Sequence, residues 1–231
     1  DLVIVPSEAE SSVGDDDLLF AGTTACYYMD ESVASEVQQV KGVKRVTEQF
    51  FCQTLAGSAC CTDGLQARIV GFDAETDWVI SPWMTQPLVD GLADDEVIVG
   101  ANIVATEGND TVNILGKSLK IVGRLDATGT SLDSSLMMNM GAARKLAYEK
   151  QEYVYLWEKY GKPDKLITAV LVELDENADA DTVATLIGFK TKTAVVKSGQ
   201  AIGEVQGQMN VVMMLMLGAA LLLAVATVIQ L

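Results

Sequence analysis

Apolar residues recur along the chain with two different periods, and the switches between them mark out its elements. Residues 2–5 read LVIV, a short apolar run bounded by Pro6, and predict a strand. In residues 31–40, Val33, Val37 and Val40 fall on one helical face; Asp30 stands where a cap belongs and Lys41-Gly42 closes the run. Residues 43–55 are rich in β-branched and aromatic side chains and predict a second strand, completing a βαβ unit. Residues 56–64 are a turn of small residues, and residues 67–72 return as a strand. Residues 78–88 hold Pro82 and Pro87 without a clear period and read as a connector.

Strand signals dominate the block that follows. They cover residues 97–100, a hairpin over 112–122 turning near Gly116, and residues 136–140. Residues 142–160 predict one helix carrying Leu146, Tyr153, Leu156, Trp157 and Tyr160, ended by Gly161 and Pro163. A second βαβ comes next: a strand over 165–174, a helix over 181–187 and a return strand over 193–196. The predicted fold class is α+β. A discontinuous βαβ-containing subdomain (residues 1–85 and 163–199) carries an inserted β-rich subdomain (residues 86–162). Residues 200–231 are expected to form a polar, Gly-interrupted stalk and a transmembrane helix.

That last expectation rests on residues 211–229, which open on Val211, close on Ile229 and contain no charge. Nineteen helical residues at about 1.5 Å each match the hydrocarbon thickness of a bilayer. Composition sharpens the division. Lys and Arg number 16 against 32 Asp and Glu, so the formal charge is 16 − 32 = −16, yet the mean hydropathy is +0.25. The apolar excess sits in the span and the acidity in the preceding domain. A pI near 4.2 argues against nucleic acid and against docking on anionic headgroups. The chain has no His, which removes the commonest general base and metal ligand. It starts at Asp1 without an initiator Met or signal-peptide pattern and stops at Leu231 just past the span, as an excised piece of a longer protein would. Four Cys in an acidic domain point to an oxidising exterior.

In this order the segments resemble the extracytoplasmic domain of MacB-like (FtsX-like) ABC transporter permeases. The resemblance covers almost the whole chain. It is carried by DLVIVP at the start, VKGVKRVTEQF after the first helix and VGFDAETD at the third strand. It is carried most by VIVGANIVAT, then VNILGKSLKIVGRLDATGTSLDSSLMMNMGAARKL, and by ITAVLVELDENADADTVATLI with KTKTAVVKS before the span. It implies an external domain between spans, a separate cytoplasmic ABC ATPase subunit, a second permease subunit in a dimer, and lipid around the C-terminal span. It also implies coupling of ATP-driven motion to export of a substrate or to work on an external partner protein. The domain itself is then not an enzyme and needs no cofactor. Two other readings compete: a membrane-anchored module regulating a cell-wall hydrolase, and a Cys-based metal- or redox-sensing module.

Candidate sites are few. Gly116-Lys117-Ser118 ends like a phosphate loop, but Thr111 holds the place of the first Gly and the segment lies within a hairpin; Lys117 reads as a solvated turn residue. Cys26, Cys52, Cys60 and Cys61 are the strongest local signal. In a βαβ unit the helix begins and the second strand ends at the same end of the sheet, which gathers all four. They read as disulfides, Cys26 and Cys52 with Cys60 and Cys61 in some order, with a thiolate metal cluster as the alternative. Met137, Met138, Met140, Met209, Met213, Met214 and Met216 suit soft metals but read as core and span residues. The acidic runs 15–17, 94–96 and 175–181 read as solvated loops and helix caps. Tyr27, Tyr28, Trp78 and Trp83 read as packing residues, and Asn109-Asp110-Thr111 fits a glycosylation sequon. No catalytic residue is assigned.

Overall fold

The computed structural model describes residues 2–12, 26–56, 66–88, 91–104, 110–114 and 116–197. The strands, in chain order, are β1 (Leu2–Val5), β2 (Met29–Asp30), β3 (Val43–Ala56), β4 (Gln66–Phe72), β5 (Glu96–Val99), β6 (Thr111–Ile114), β7 (Lys117–Arg124), β8 (Ser135–Asn139), β9 (Leu166–Ile167), β10 (Ala169–Leu174) and β11 (Ala194–Lys197). The helices are α1 (Ser32–Gln38), α2 (Met140–Tyr148), α3 (Val154–Tyr160) and α4 (Ala180–Thr191).

Nine strands form one mixed sheet in the order β11-β1-β10-β3-β4-β8-β5-β7-β6, while β2 and β9 make a separate two-stranded ribbon. The two expected βαβ units are present in split form. β1 and β3 are both antiparallel to β10, which lies between them, and β10 and β11 likewise flank β1. The result is the 4-1-3-2 strand order of a ferredoxin-like half, with two βαβ units interleaved. The middle of the chain extends that sheet through β4, β8, β5, β7 and β6, with β4 parallel to β8 and β5 parallel to β7. The sheet belongs to a compact unit of Asp1–Lys197.

Helix ends follow the local chemistry. The Asp30 carboxylate accepts from Ser32 N at 2.9 Å at the start of α1, and Ala34 and Val37 face inward. Asp179 caps α4, accepting from Thr182 N at 3.0 Å, and Lys192 closes that helix in the left-handed conformation. Asn139 caps α2, accepting from Gly141 N at 2.8 Å and Ala142 N at 3.3 Å. Helix α2 lies directly against β4 because Gly71 carries no side chain; a Cβ there would stand 2.6 Å from the Ala143 Cβ.

Apolar clusters among the described residues hold the layers together. One joins Phe50, Ile69, Val97, Leu136 and Leu146 under α2 and α3, and a second joins Leu2, Ile4, Val37, Val172, Val183 and Ile187 under α1 and α4. The third joins Phe72, Ile80, Leu125, Leu132 and Met137 with the connector. Each fully buried aliphatic side chain contributes about 1.5–3 kcal/mol, against about 0–1 kcal/mol for an exposed ion pair, so these clusters and not the surface charges set the stability.

Two expectations are corrected. The single helix over 142–160 is interrupted: α2 ends at Tyr148, Lys150 is extended, and a 3-10 turn at Gln151–Tyr153 leads into α3. Residues 149–152 read EKQE and offer no apolar anchor, and the break lets Leu146 and Leu156 reach the same cluster. The single strand over 165–174 divides at Thr168 into β9, which pairs with β2, and β10, which pairs with β1 and β3. Thr168 is fully buried; its N–H donates to Gln49 O at 2.9 Å, and its hydroxyl donates to the same oxygen at 3.0 Å and accepts from Phe51 N at 2.9 Å. The expected span at 211–229 lies outside the described residues; among those described, no helix is long and apolar enough to cross a membrane.

Candidate functional site

The two ends of the described domain leave from one edge of the sheet. Among the described residues β11 is the edge strand and β1 its one sheet neighbour, and Leu2 at the start of β1 pairs with Lys197 at the end of β11. The register Leu2↔Val172 and Leu174↔Val43 places the end of β10 and the start of β3 at this same end. Charges fasten it. Lys197 pairs with Asp181 at the start of α4, and Glu173 on β10 pairs with Lys44 (2.8 Å) and with Arg45 on β3. Hydrogen bonds from Lys44 and then Arg45 hold the Glu173 carboxyl below its ordinary range. The Arg45 guanidinium also stands 5.1 Å over the Trp78 ring, which ties the connector to β3.

Aromatic packing dominates the opposite end. Tyr28 is buried, with ring centroids 5.3 Å from Phe50 and 5.5 Å from both Trp157 and Tyr160. Its hydroxyl donates to Phe51 O at 3.4 Å. Cys26 packs against this cluster; burial pushes its thiol up, and a hydrogen bond with Tyr28 offsets part of that shift. A thiol so held is a poor nucleophile at neutral pH. Cys26 therefore stands, through Tyr28, beside the peptide that joins Phe51 to Cys52. The Cys52 side chain, Cys60 and Cys61 lie outside the described residues. Lys159 at the end of α3 pairs with Glu8 at 3.3 Å, and the Tyr160 hydroxyl donates to the same carboxylate at 3.0 Å, stapling α3 to the turn after β1.

Between the ferredoxin-like half and the inserted strands lies a charged junction that the periodicity did not announce. Arg144 on α2 is 12% exposed and reaches three partners: Glu31 Oε2 at 3.0 Å, Leu166 O at 3.0 Å and Asp164 O at 2.8 Å. Glu48, half-buried on β3, is near this group. Burial raises its carboxyl above the ordinary range, the Glu31 charge adds to that, and Arg144 opposes it. The only trace in the sequence is a carboxylate at a strand position that faces a helix.

The remaining candidates fall into place individually. Gly116 turns the β6–β7 hairpin with φ of +81°, and Lys117 is exposed beside it, in an equally exposed pair with Glu149 at 2.5 Å. Met137 and Met138 are buried. Glu96 of the second acidic run pairs with Lys120 at 3.1 Å, and Asp179 and Asp181 of the third cap and brace α4. Residues 15–17, Asn109, Met209, Met213, Met214 and Met216 lie outside the described residues. No group of His, Cys, Asp or Glu able to hold a metal ion occurs among the described residues.

No protein-family model matches the chain, and no curated protein matches it. Similarity appears among solved structures. The periplasmic region of MacB from Actinobacillus actinomycetemcomitans superposes with a TM-score of 0.50 at 9% identity, covering 89% of this chain and 92% of that one. The extracellular domain of the noncanonic ABC-type transporter YknZ from Gram-positive bacteria matches with a TM-score of 0.43 at 13% identity, over 85% of this chain and 98% of that one. A permease-protein domain from Porphyromonas gingivalis matches with a TM-score of 0.41 at 12% identity, over 68% and 73%. The fold of this chain is that of the MacB periplasmic region, as the resemblance in its sequence implied.

Proposed function

We propose that the chain is the extracytoplasmic domain of a MacB/FtsX-type ABC transporter permease, coupling ATP-driven motion of a separate ATPase subunit to substrate export or external work. The observation that carries this reading is the pairing of β1 with β11. Both chain ends of the domain leave from adjacent strands at one end of a sheet that continues unbroken to β6. Relative motion of two membrane segments attached there acts as shear along one ladder and passes to β10 and onward through hydrogen-bonded strands. The ATPase, a second permease subunit and lipid around residues 211–229 are the partners of this arrangement, with an external protein or substrate at the far side. Residues 1–85 with 163–199, and residues 86–162, act as the two lobes that the shared sheet links. No catalytic step is assigned to the domain.

The test is a reversible lock. Cysteines placed at the cross-strand pair Val3↔Val196 join β1 to β11 on oxidation, in the parent permease reconstituted with its ATPase. Locked protein should hydrolyse ATP without transport, and reductant should restore transport in the double variant while leaving the unmutated permease unchanged. Failure of any ATPase to associate, or full transport by locked protein, counts against the reading.

The cysteines belong to the same proposal: Cys26 and Cys52 pair with Cys60 and Cys61, stapling the end of the sheet opposite the termini. Support comes from the contact of Tyr28 with both Cys26 and the Phe51 carbonyl. Intact mass after alkylation without reductant should show no modified thiol, and four modified thiols would refute the pairing.

A further inference from the structure

A cleft of about 240 Å³ opens between α2 and the β6–β7 hairpin. Its floor is apolar, made by Ile114, Leu119, Met138, Ala142 and Leu146, all less than a tenth exposed. Its mouth carries charges of both signs: Asp94 and Asp95 ahead of β5, Lys117 on the hairpin and Lys145 on α2. Lys117 is engaged by Glu149, which ties the hairpin to the end of α2. Among the described residues, Asp94, Asp95 and Lys145 form no ion pair. Asp95 is nonetheless held in place, since its carbonyl accepts from Lys120 N at 2.9 Å.

We propose that this cleft binds a free α-amino acid with a large apolar side chain, such as leucine, methionine or phenylalanine. A cavity of about 150 Å³ lined by aliphatic and aromatic groups takes up benzene, so this floor has room for such a side chain. It falls short of the roughly 300–1,000 Å³ of sites for drug-sized ligands. The charge pattern selects the head. A lone carboxylate meets Asp94 and Asp95, and a lone amine meets Lys117 and Lys145. A zwitterion sets its ammonium toward the aspartates and its carboxylate toward Lys145. This site does not depend on the transporter reading.

The experiment is a titration of the 231-residue chain, labelled at its methionine methyl groups, with L-leucine and L-phenylalanine. The Met138 signal, assigned with Met138→Leu, should shift saturably. N-acetyl-leucine, lacking the ammonium, and leucinamide, lacking the carboxylate, should bind at least tenfold more weakly, and glycine should leave the signal unmoved. Lys145→Glu, an exposed change, should weaken leucine at least tenfold; Ala142→Trp, checked for folding by circular dichroism, should abolish the shift. An unmoved Met138 signal overturns the proposal. Equal binding of leucine and its two blocked forms also overturns it, leaving a plain apolar crevice.

Discussion

Asp133 shows how one buried carboxylate fixes a loop that three elements lean on. Its Oδ1 accepts from Thr128 N and Thr128 Oγ1, each at 2.8 Å, and its Oδ2 from Gly129 N at 2.9 Å. The backbone it shapes passes so close to the end of β5 that a Cβ on Gly100 would stand 2.1 Å from Leu132 O. Burial alone would raise this carboxyl, but the bonds from Thr128 and Gly129 prevail and hold it below its ordinary range. Its contribution is therefore complete above the free carboxyl's pKa of about 3.9 and is lost as pH falls through the lower folded value. Asp133→Asn turns an acceptor into a donor facing N–H groups and should cost about 2–3 kcal/mol in urea denaturation at pH 7. The difference from the unmutated chain should narrow at the most acid pH where both still fold. Glu48 has the opposite sign. Its folded pKa is raised, first by burial and then by Glu31, so its ionisation opposes folding as pH rises through that value. Glu48→Gln should raise the melting temperature at pH 7 and give no gain at pH 4; a loss at pH 7 would mean that attraction to Arg144 outweighs the burial.

At the scale of elements, the break at Thr168 is the most instructive. One residue leaves the strand; its N–H and hydroxyl both donate to Gln49 O, and the hydroxyl accepts from Phe51 N so that this N–H is not left bare in the core. Thr168→Val keeps the shape, removes both bonds and strands a buried N–H; about 2–3 kcal/mol should be lost, read as a shift of the urea midpoint at unchanged slope. A β-branched run such as LITAVLVEL gives no warning of such a break, because periodicity reports which side chains are apolar and says nothing of which strand each half joins. The same limit hid the gap between α2 and α3, where both helices satisfy one 3.6-residue pattern. What the local pattern did reach was the existence and order of the strands β1, β3, β4, β5, β8 and β11, the Gly116 hairpin and the start of α1 behind Asp30. Those features are decided by a few neighbouring residues. The interleaving of the two βαβ units is decided by pairing across more than a hundred residues, Leu2 with Val172 among them, and no local window contains it. Of the candidate sites, Arg144, Glu48 and the lysines and aspartates of the cleft became legible only once α2 was laid on the sheet.

For the molecule as a whole, the position of the ends on the sheet makes a mechanical statement. β1 is hydrogen-bonded on both sides, to β11 and to β10, so a force on Leu2 along the strand loads two ladders at once. Among the described residues β11 has one partner in the sheet, and α4 braces it through the Lys197–Asp181 pair and the side chains of Val195 and Ile187. Across the sheet, β3 is the longest strand, flanked by β10 and β4 and covered by α1 and α2 on one face. Opening is cheapest where strands have one neighbour and few buried side chains, and dearest in the middle of a wide sheet. Hydrogen exchange should therefore be slowest in β3 and β10, at Thr47, Val170 and Val172, and faster by orders of magnitude at Asn113 on β6 and Val196 on β11. If β11 exchanges as slowly as β3, this edge is not a compliant strip but part of the rigid body, and under the proposed transporter reading a force on the chain ends would turn the domain as a unit instead of shearing β11 along β1. Read on the disulfide-locked and unlocked Val3/Val196 pair, the same exchange experiment separates the two: shear predicts that oxidation protects β11 alone, and rigid rotation predicts no change anywhere in the sheet.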